Sequence, residues 1–273
     1  MGCQFFGNPL YLYGEESMTI ILIALVAFGA SLLTFFSGFG LGTLLMPVIA
    51  LFFPLPVAIA ITAIVHFSNN LFKFSLLAKH TNIPILIKFG IPAMVAAFIG
   101  AICLDYISLL NPWISYTLLG HLFEITPIKL TVGSVILIFL FLESQSKLTI
   151  LSTPSTQSLF LGGVLSGFFG GLSGNQGAFR SMFLANSLLS KESFLATGVT
   201  LAVIVDFSRI TLYGHYFTDA SAQLPLIITA IVSAFIGTLI GNKYFKKMSI
   251  EILQKIVSFM LILIAILLIT GIL

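Results

Sequence analysis

Phe168-Phe169-Gly170-Gly171-Leu172-Ser173-Gly174 repeats a pattern met earlier in the chain as Phe35-Phe36-Ser37-Gly38-Phe39-Gly40. Two further stretches recur in the same order. Val65-His66-Phe67-Ser68-Asn69 returns as Val205-Asp206-Phe207-Ser208-Arg209, and Ala97-Phe98-Ile99-Gly100 returns as Ala234-Phe235-Ile236-Gly237. Both copies lie in strongly apolar sequence. A duplicated apolar unit, broken by glycines and carrying polar residues at matching places, is the signature of a secondary transporter.

Composition supports a membrane setting. Of 273 residues, 58% are hydrophobic and only 8% are charged. Soluble domains carry roughly a quarter charged residues, so this chain could not cover a water-facing surface, and an all-α integral membrane protein is expected. The net charge of +3 includes no basic tract, which excludes a nucleic-acid partner. Cys3 and Cys103 form neither a CxxC pair nor a metal-ligand spacing, and no cofactor is expected. Met1 to Ser17 lacks Lys and Arg and carries Glu15 and Glu16, so it does not read as a signal peptide. Phe6 stands where N-myristoylation prefers Ser or Thr.

A membrane helix needs roughly 20 apolar residues. Hydrophobic segments are expected at about 18–37, 42–54, 56–79, 84–104 and 126–143, then at about 157–170, 176–189, 192–215, 223–242 and 249–272. The organisation is therefore a non-cytoplasmic segment 1–17, a first repeat 18–143, a cytoplasmic linker 144–156 and a second repeat 157–273. The second segment of each half is short and follows a glycine-rich break. It is expected to be bent, broken or re-entrant, which requires shielding by protein or water.

Loop charges give the sidedness. Lys73, Lys79 and Lys88 surround the loop after the third segment, whereas its counterpart, His215 to Gln223, has no Lys or Arg. Conversely, Asp105 to Glu124 has none, and its counterpart carries Lys243, Lys246 and Lys247. Positive residues stay cytoplasmic, so the halves are expected to be inverted. Lys147 and Lys191 fit this scheme, with both termini outside. Lys129, near the outer end of its helix, is the exception.

Charges inside a span are costly and each needs a reason. His66, Asn69, Asn70 and Lys73 share one helical stripe. Asp206 and Arg209 share another, and the repeat sets His66 opposite Asp206 and Asn69 opposite Arg209. Two readings stand here: Asp206 and Arg209 neutralise each other structurally, or they line a polar pathway at the repeat interface. The break Gly174-Asn175-Gln176-Gly177-Ala178-Phe179-Arg180 offers backbone donors, amide donors and an arginine one turn into the next helix. Such an arrangement suits an oxyanion. Gly38, Gly40 and Gly42 supply the matching, uncharged break. Trp113, Tyr106 and Tyr116 read as interfacial anchors in an outer loop.

The stretch Gly171-Leu172-Ser173-Gly174-Asn175-Gln176-Gly177-Ala178-Phe179-Arg180-Ser181, with Ser190-Lys191-Glu192 and Ala196-Thr197-Gly198-Val199, resembles the TauE/SafE sulfite-exporter family of permeases. The resemblance covers nearly all of the chain after residue 17. It implies a multi-pass transporter of the bacterial inner (cell) membrane whose substrates are small anions: sulfite, organosulfonates and related carboxylates. The commoner family pattern has a run of glycines in the second repeat. Here Ser173, Asn175 and Gln176 interrupt it.

The expected function is alternating-access transport of a small anion, with Asp206 or His66 carrying a coupling proton. The expected binding residues are Gly38, Gly40, Gly42, His66, Asn69, Asn70, Gly174, Asn175, Gln176, Gly177, Arg180, Asp206 and Arg209. A cation or metal permease using His66 and Asp206 is the alternative, and a non-transport membrane role stays open. No HExxH, GxSxG or similar motif suggests an enzyme. The lipid bilayer is the surrounding partner, and the oligomeric state is left open, a homodimer included.

Overall fold

The computed structural model describes residues 16–37, 41–118, 120–144, 155–185, 187–216, 223–244 and 250–273. Most of segment 1–17, Gly38 and Gly40, and most of linker 144–156 lie outside these residues. The α-helices are α1 (Glu16–Ser37), α2 (Leu41–Ala50), α3 (Leu55–Leu77), α4 (Ile83–Ser108), α5 (Pro127–Ser144), α6 (Thr156–Ser173), α7 (Gly177–Ala185), α8 (Lys191–Leu212), α9 (Leu224–Tyr244) and α10 (Ile250–Ile269). Each coincides with one of the expected hydrophobic segments. Among the described residues, four helices are long and apolar enough to cross a membrane: α3, α4, α8 and α9. The fold is that of an all-α integral membrane protein.

Helices α2 and α7 have 10 and 9 residues. At 1.5 Å per residue neither exceeds about 15 Å, half of a bilayer core. α7 follows a break after α6, as the glycines lead one to expect. Gly174 ends α6 in the left-handed region, φ +79°, and its N–H bonds Gly170 O at 2.9 Å. A side chain at that φ would be strained.

Small residues decide how the long helices meet. A Cβ on Gly163, Gly167 or Gly171 of α6 would run into the carbonyl oxygens of Phe89, Ala93 and Ala97 of α4. The residue numbers rise together, so α4 and α6 are parallel and touch backbone to backbone, the close approach that small residues permit in lipid. Gly100 returns the contact against Phe168 O and Leu172 N. The same arrangement occurs between α9 and α1, where Gly237 faces Phe28 O and Leu32 N. The first helix of each half thus packs on the fourth helix of the other.

Helices α3 and α8 cross at the centre and are antiparallel. Asp206 meets His66, whereas the more N-terminal Thr197 accepts from Asn82 N at 2.9 Å and Ser193 donates to His80 O at 2.8 Å. Those last contacts, with Lys88 Nζ donating to Thr156 Oγ1 at 3.1 Å, gather Lys79, Lys88 and Lys191 at one end of the bundle.

The opposite end holds the departure from helix. Asp105 to Glu124 reads as a loop in the sequence, but Ile114–Leu118 (β1) and His121–Ile125 (β2) form an antiparallel hairpin, Ile114 paired with Ile125 and Leu118 with His121. Gly120, φ +82°, stands in its tight turn. Tyr116 Oη donates to Thr270 O at 2.6 Å, fastening the hairpin to the end of α10. Lys129 is here too. Its Nζ donates to Glu124 O at 3.2 Å and Gly271 O at 3.3 Å. A lysine that satisfies carbonyls past a helix end has a local reason to break the charge bias.

Candidate functional site

Where α3 crosses α8, a polar cluster is buried. His66 approaches Asp206 Oδ2 through Nδ1 at 2.6 Å. So short a contact to a carboxylate makes Nδ1 the protonated nitrogen, donating to Asp206. Asn70, one turn along α3, lies against the imidazole and donates to the same oxygen at 3.2 Å. Asp206 Oδ1 accepts from Arg209 Nε at 3.1 Å and from Gln176 Nε2 at 2.9 Å. The carboxylate therefore joins three elements: α3, α8 and the break before α7. Asp206 and Arg209 are fully buried.

The break is built to present its residues inward. Ser166 Oγ donates to Gln176 O at 3.0 Å, holding the α7 entry against α6. Asn175 Nδ2 donates to Ser173 Oγ at 3.2 Å, while Asn175 Oδ1 meets no donor among the described residues. Arg180, one turn into α7, donates to Gln176 Oε1 at 3.4 Å, and Gly198 of α8 lies beside its Nε. Gly177 is buried at the first position of α7.

Arg209 is under-served. Its Nη2 comes within 2.9 Å of Asp206 Oδ1 as an ion pair, without hydrogen-bond alignment. Neither Nη1 nor Nη2 has a hydrogen-bond acceptor among the described residues. Gly174 packs on this guanidinium, since a Cβ there would stand 2.7 Å from Nη1. Gly42 stands on the other side of Gly174: a Cβ on Gly42 would lie 3.7 Å from Gly174 O and 3.7 Å from His66 Cδ2. Gly42 at the start of α2 and Gly174 at the end of α6 thus meet, close to the N-terminal end of α7.

Most of the residues picked from the sequence are brought together: Gly42, His66, Asn70, Gly174, Asn175, Gln176, Gly177, Arg180, Asp206 and Arg209. Gly38 and Gly40 lie outside the described residues. Asn69 turns elsewhere. Its Oδ1 accepts from Thr238 Oγ1 at 2.8 Å and from Ser31 Oγ at 3.3 Å, in a buried group between α1, α3 and α9. Ser31 and Thr238, 2.7 Å apart, were not legible in the sequence, because single hydroxyls in apolar helices form no pattern.

In charge terms, two guanidiniums face one carboxylate, with Lys73 also buried on the α3 stripe. Arginine stays protonated in proteins. A buried net positive charge is costly unless an anion offsets it.

No curated protein sequence matches the chain. The family model for the sulfite exporter TauE/SafE matches residues 23–268. That span includes every helix of the cluster, and the chain belongs to the TauE/SafE family of membrane sulfite exporters and permeases.

Proposed function

We propose that the protein is a secondary transporter of a small oxyanion, bound where Gly42 and Gly174 meet and moved by alternating access. The observation that carries this reading is Arg209: a buried guanidinium whose Nη1 and Nη2 lack acceptors among the described residues, in a buried polar cluster that also holds Arg180, on the far side of the His66–Asp206 contact. The converging starts of α2 and α7 add positive dipole ends at the same place. Sulfite, organosulfonates and related carboxylates match this donor set, since each offers two or more oxygens to a guanidinium fork.

The two halves act as inverted repeats in this reading. The reciprocal contacts Gly100–Phe168 and Gly237–Phe28, and the antiparallel crossing of α3 and α8, support it. The basic end of the bundle is cytoplasmic, in the inner membrane of a bacterial cell. Asp206 or His66, joined by a hydrogen bond between α8 and α3, carries the coupling proton.

The test is flux in proteoliposomes. Purified protein is given radiolabelled sulfite, a panel of sulfonates and carboxylates, and a control set of monovalent and divalent cations. Anion flux with silent cations is expected. Cation flux that survives loss of Arg180 would overturn the reading.

A further inference from the structure

We infer that Thr62 of α3 is the first half's direct contact to the substrate oxyanion, facing Arg209 across the junction of Gly42 and Gly174. The inference rests on the anion-transport reading and names a residue that completes that site.

Helical hydroxyls in lipid ordinarily satisfy themselves. Thr131, Ser181, Thr200, Ser208, Thr229 and Thr270 each donate to the carbonyl four residues earlier, at 2.7 to 2.8 Å. This back-bonding is the default for Ser and Thr within a helix. Thr62 departs from it. Its side chain is buried, and Oγ1 has no partner among the described residues. An unmade hydrogen bond in an apolar interior is costly, so the hydroxyl is held available for something.

Its position says what. Thr62 lies one turn before His66 on α3, and Arg209 lies one turn after Asp206 on α8. Because these helices are antiparallel and cross at His66–Asp206, Thr62 and Arg209 fall on the same side of the crossing. Contacts link them: a Cβ on Gly42 would lie 3.4 Å from Thr62 Cγ2 and 3.7 Å from Gly174 O, and Gly174 packs on Arg209 Nη1. Thr62 Oγ1, Arg209 Nη1 and Nη2, and Asn175 Oδ1 are thus unmatched polar atoms of neighbouring elements. An oxyanion that takes the two Nη groups through one pair of oxygens can accept from Thr62 through another. Gly42 would then limit the bulk attached to the anion. Its Cβ would make only ordinary van der Waals contacts, so Gly42→Ala should fold and occupy space that the substrate uses.

Proteoliposome uptake of radiolabelled sulfite by wild type, Thr62→Val, Thr62→Ser and Gly42→Ala tests this. Loss of a hydrogen bond to a charged ligand predicts that Thr62→Val raises KM roughly tenfold or more, with Thr62→Ser recovering most of the affinity. Melting in detergent should be as high for Thr62→Val as for wild type, because no protein partner is lost. Gly42→Ala should weaken competition by bulky sulfonates more than by sulfite. An unchanged KM in Thr62→Val, with sulfite uptake intact in wild type, would overturn this inference and leave the anion reading standing. Thr62→Val that melts lower at unchanged KM would assign Thr62 a structural role and overturn it equally. Absence of anion uptake by wild type would overturn both.

Discussion

His66 of α3 and Asp206 of α8, each the second residue of the matching stretches Val65–Asn69 and Val205–Arg209, lie 2.6 Å apart at the centre of the bundle. Asp206 also receives Asn70, Gln176 and Arg209. One carboxylate is therefore the node through which both halves and the α7 break are held in register. A change in the charge state of His66 acts on the group that holds Arg209.

Removing that node should be costly. Asp206→Asn leaves Arg209 and Arg180 without a buried counter-charge, and the expected loss is about 3–5 kcal/mol of stability. Asp206→Asn combined with Arg209→Gln should be less destabilised than Asp206→Asn alone, because one of the two stranded guanidiniums, the one hydrogen-bonded to Asp206, is gone. Thermal melting of the purified variants in detergent checks the order.

The glycine contacts make a second prediction. Gly167→Ala would press a methyl into Ala93 of α4, and Gly237→Ala would do the same to Phe28 of α1. Each should cost about 1–3 kcal/mol, as overpacking does elsewhere. Gly29→Ala on α1, which meets no neighbour within 4 Å, should be neutral or slightly stabilising. The three melting temperatures together test whether backbone contact is what joins α1 to α9 and α4 to α6.

Sidedness can be read by thiol labelling. With Cys3 and Cys103 replaced by serine, a single cysteine at Leu122 in the hairpin should react with an impermeant maleimide in intact cells. A cysteine at Lys191 should react only after the membrane is opened. Both positions are exposed, so failure to label would reflect the membrane and not the fold. Labelling of Lys191→Cys from outside would reverse the orientation.

Much of this was legible in the sequence, for reasons that differ by residue. His66, Asn70, Asp206 and Arg209 stood out because a charge or amide in an apolar span has to be explained, and the helical period put them on facing stripes. Gly174 and its neighbours stood out because glycine clusters interrupt helices. The alignment of Asn69 with Arg209 did not foretell its partner: Asn69 turns to Ser31 and Thr238, which depends on how α1 meets α9. The hairpin was missed because Ile114-Ser115-Tyr116-Thr117-Leu118 is a short β-favouring run inside a stretch read for its charge and its aromatic anchors. Thr62 carried no sequence signal, since its distinction lies in a hydroxyl that does not bond backward.

On this mechanism the anion binds in the buried polar cluster that holds Arg209 and Arg180. Sulfite flux into proteoliposomes by Arg180→Ala, beside wild type and Arg180→Lys, tests it most directly. Predicted is a loss of at least about tenfold in Arg180→Ala at unchanged elution on gel filtration, with partial recovery in Arg180→Lys, which keeps the charge without the fork. Arg180→Ala moving sulfite as fast as wild type would contradict the account.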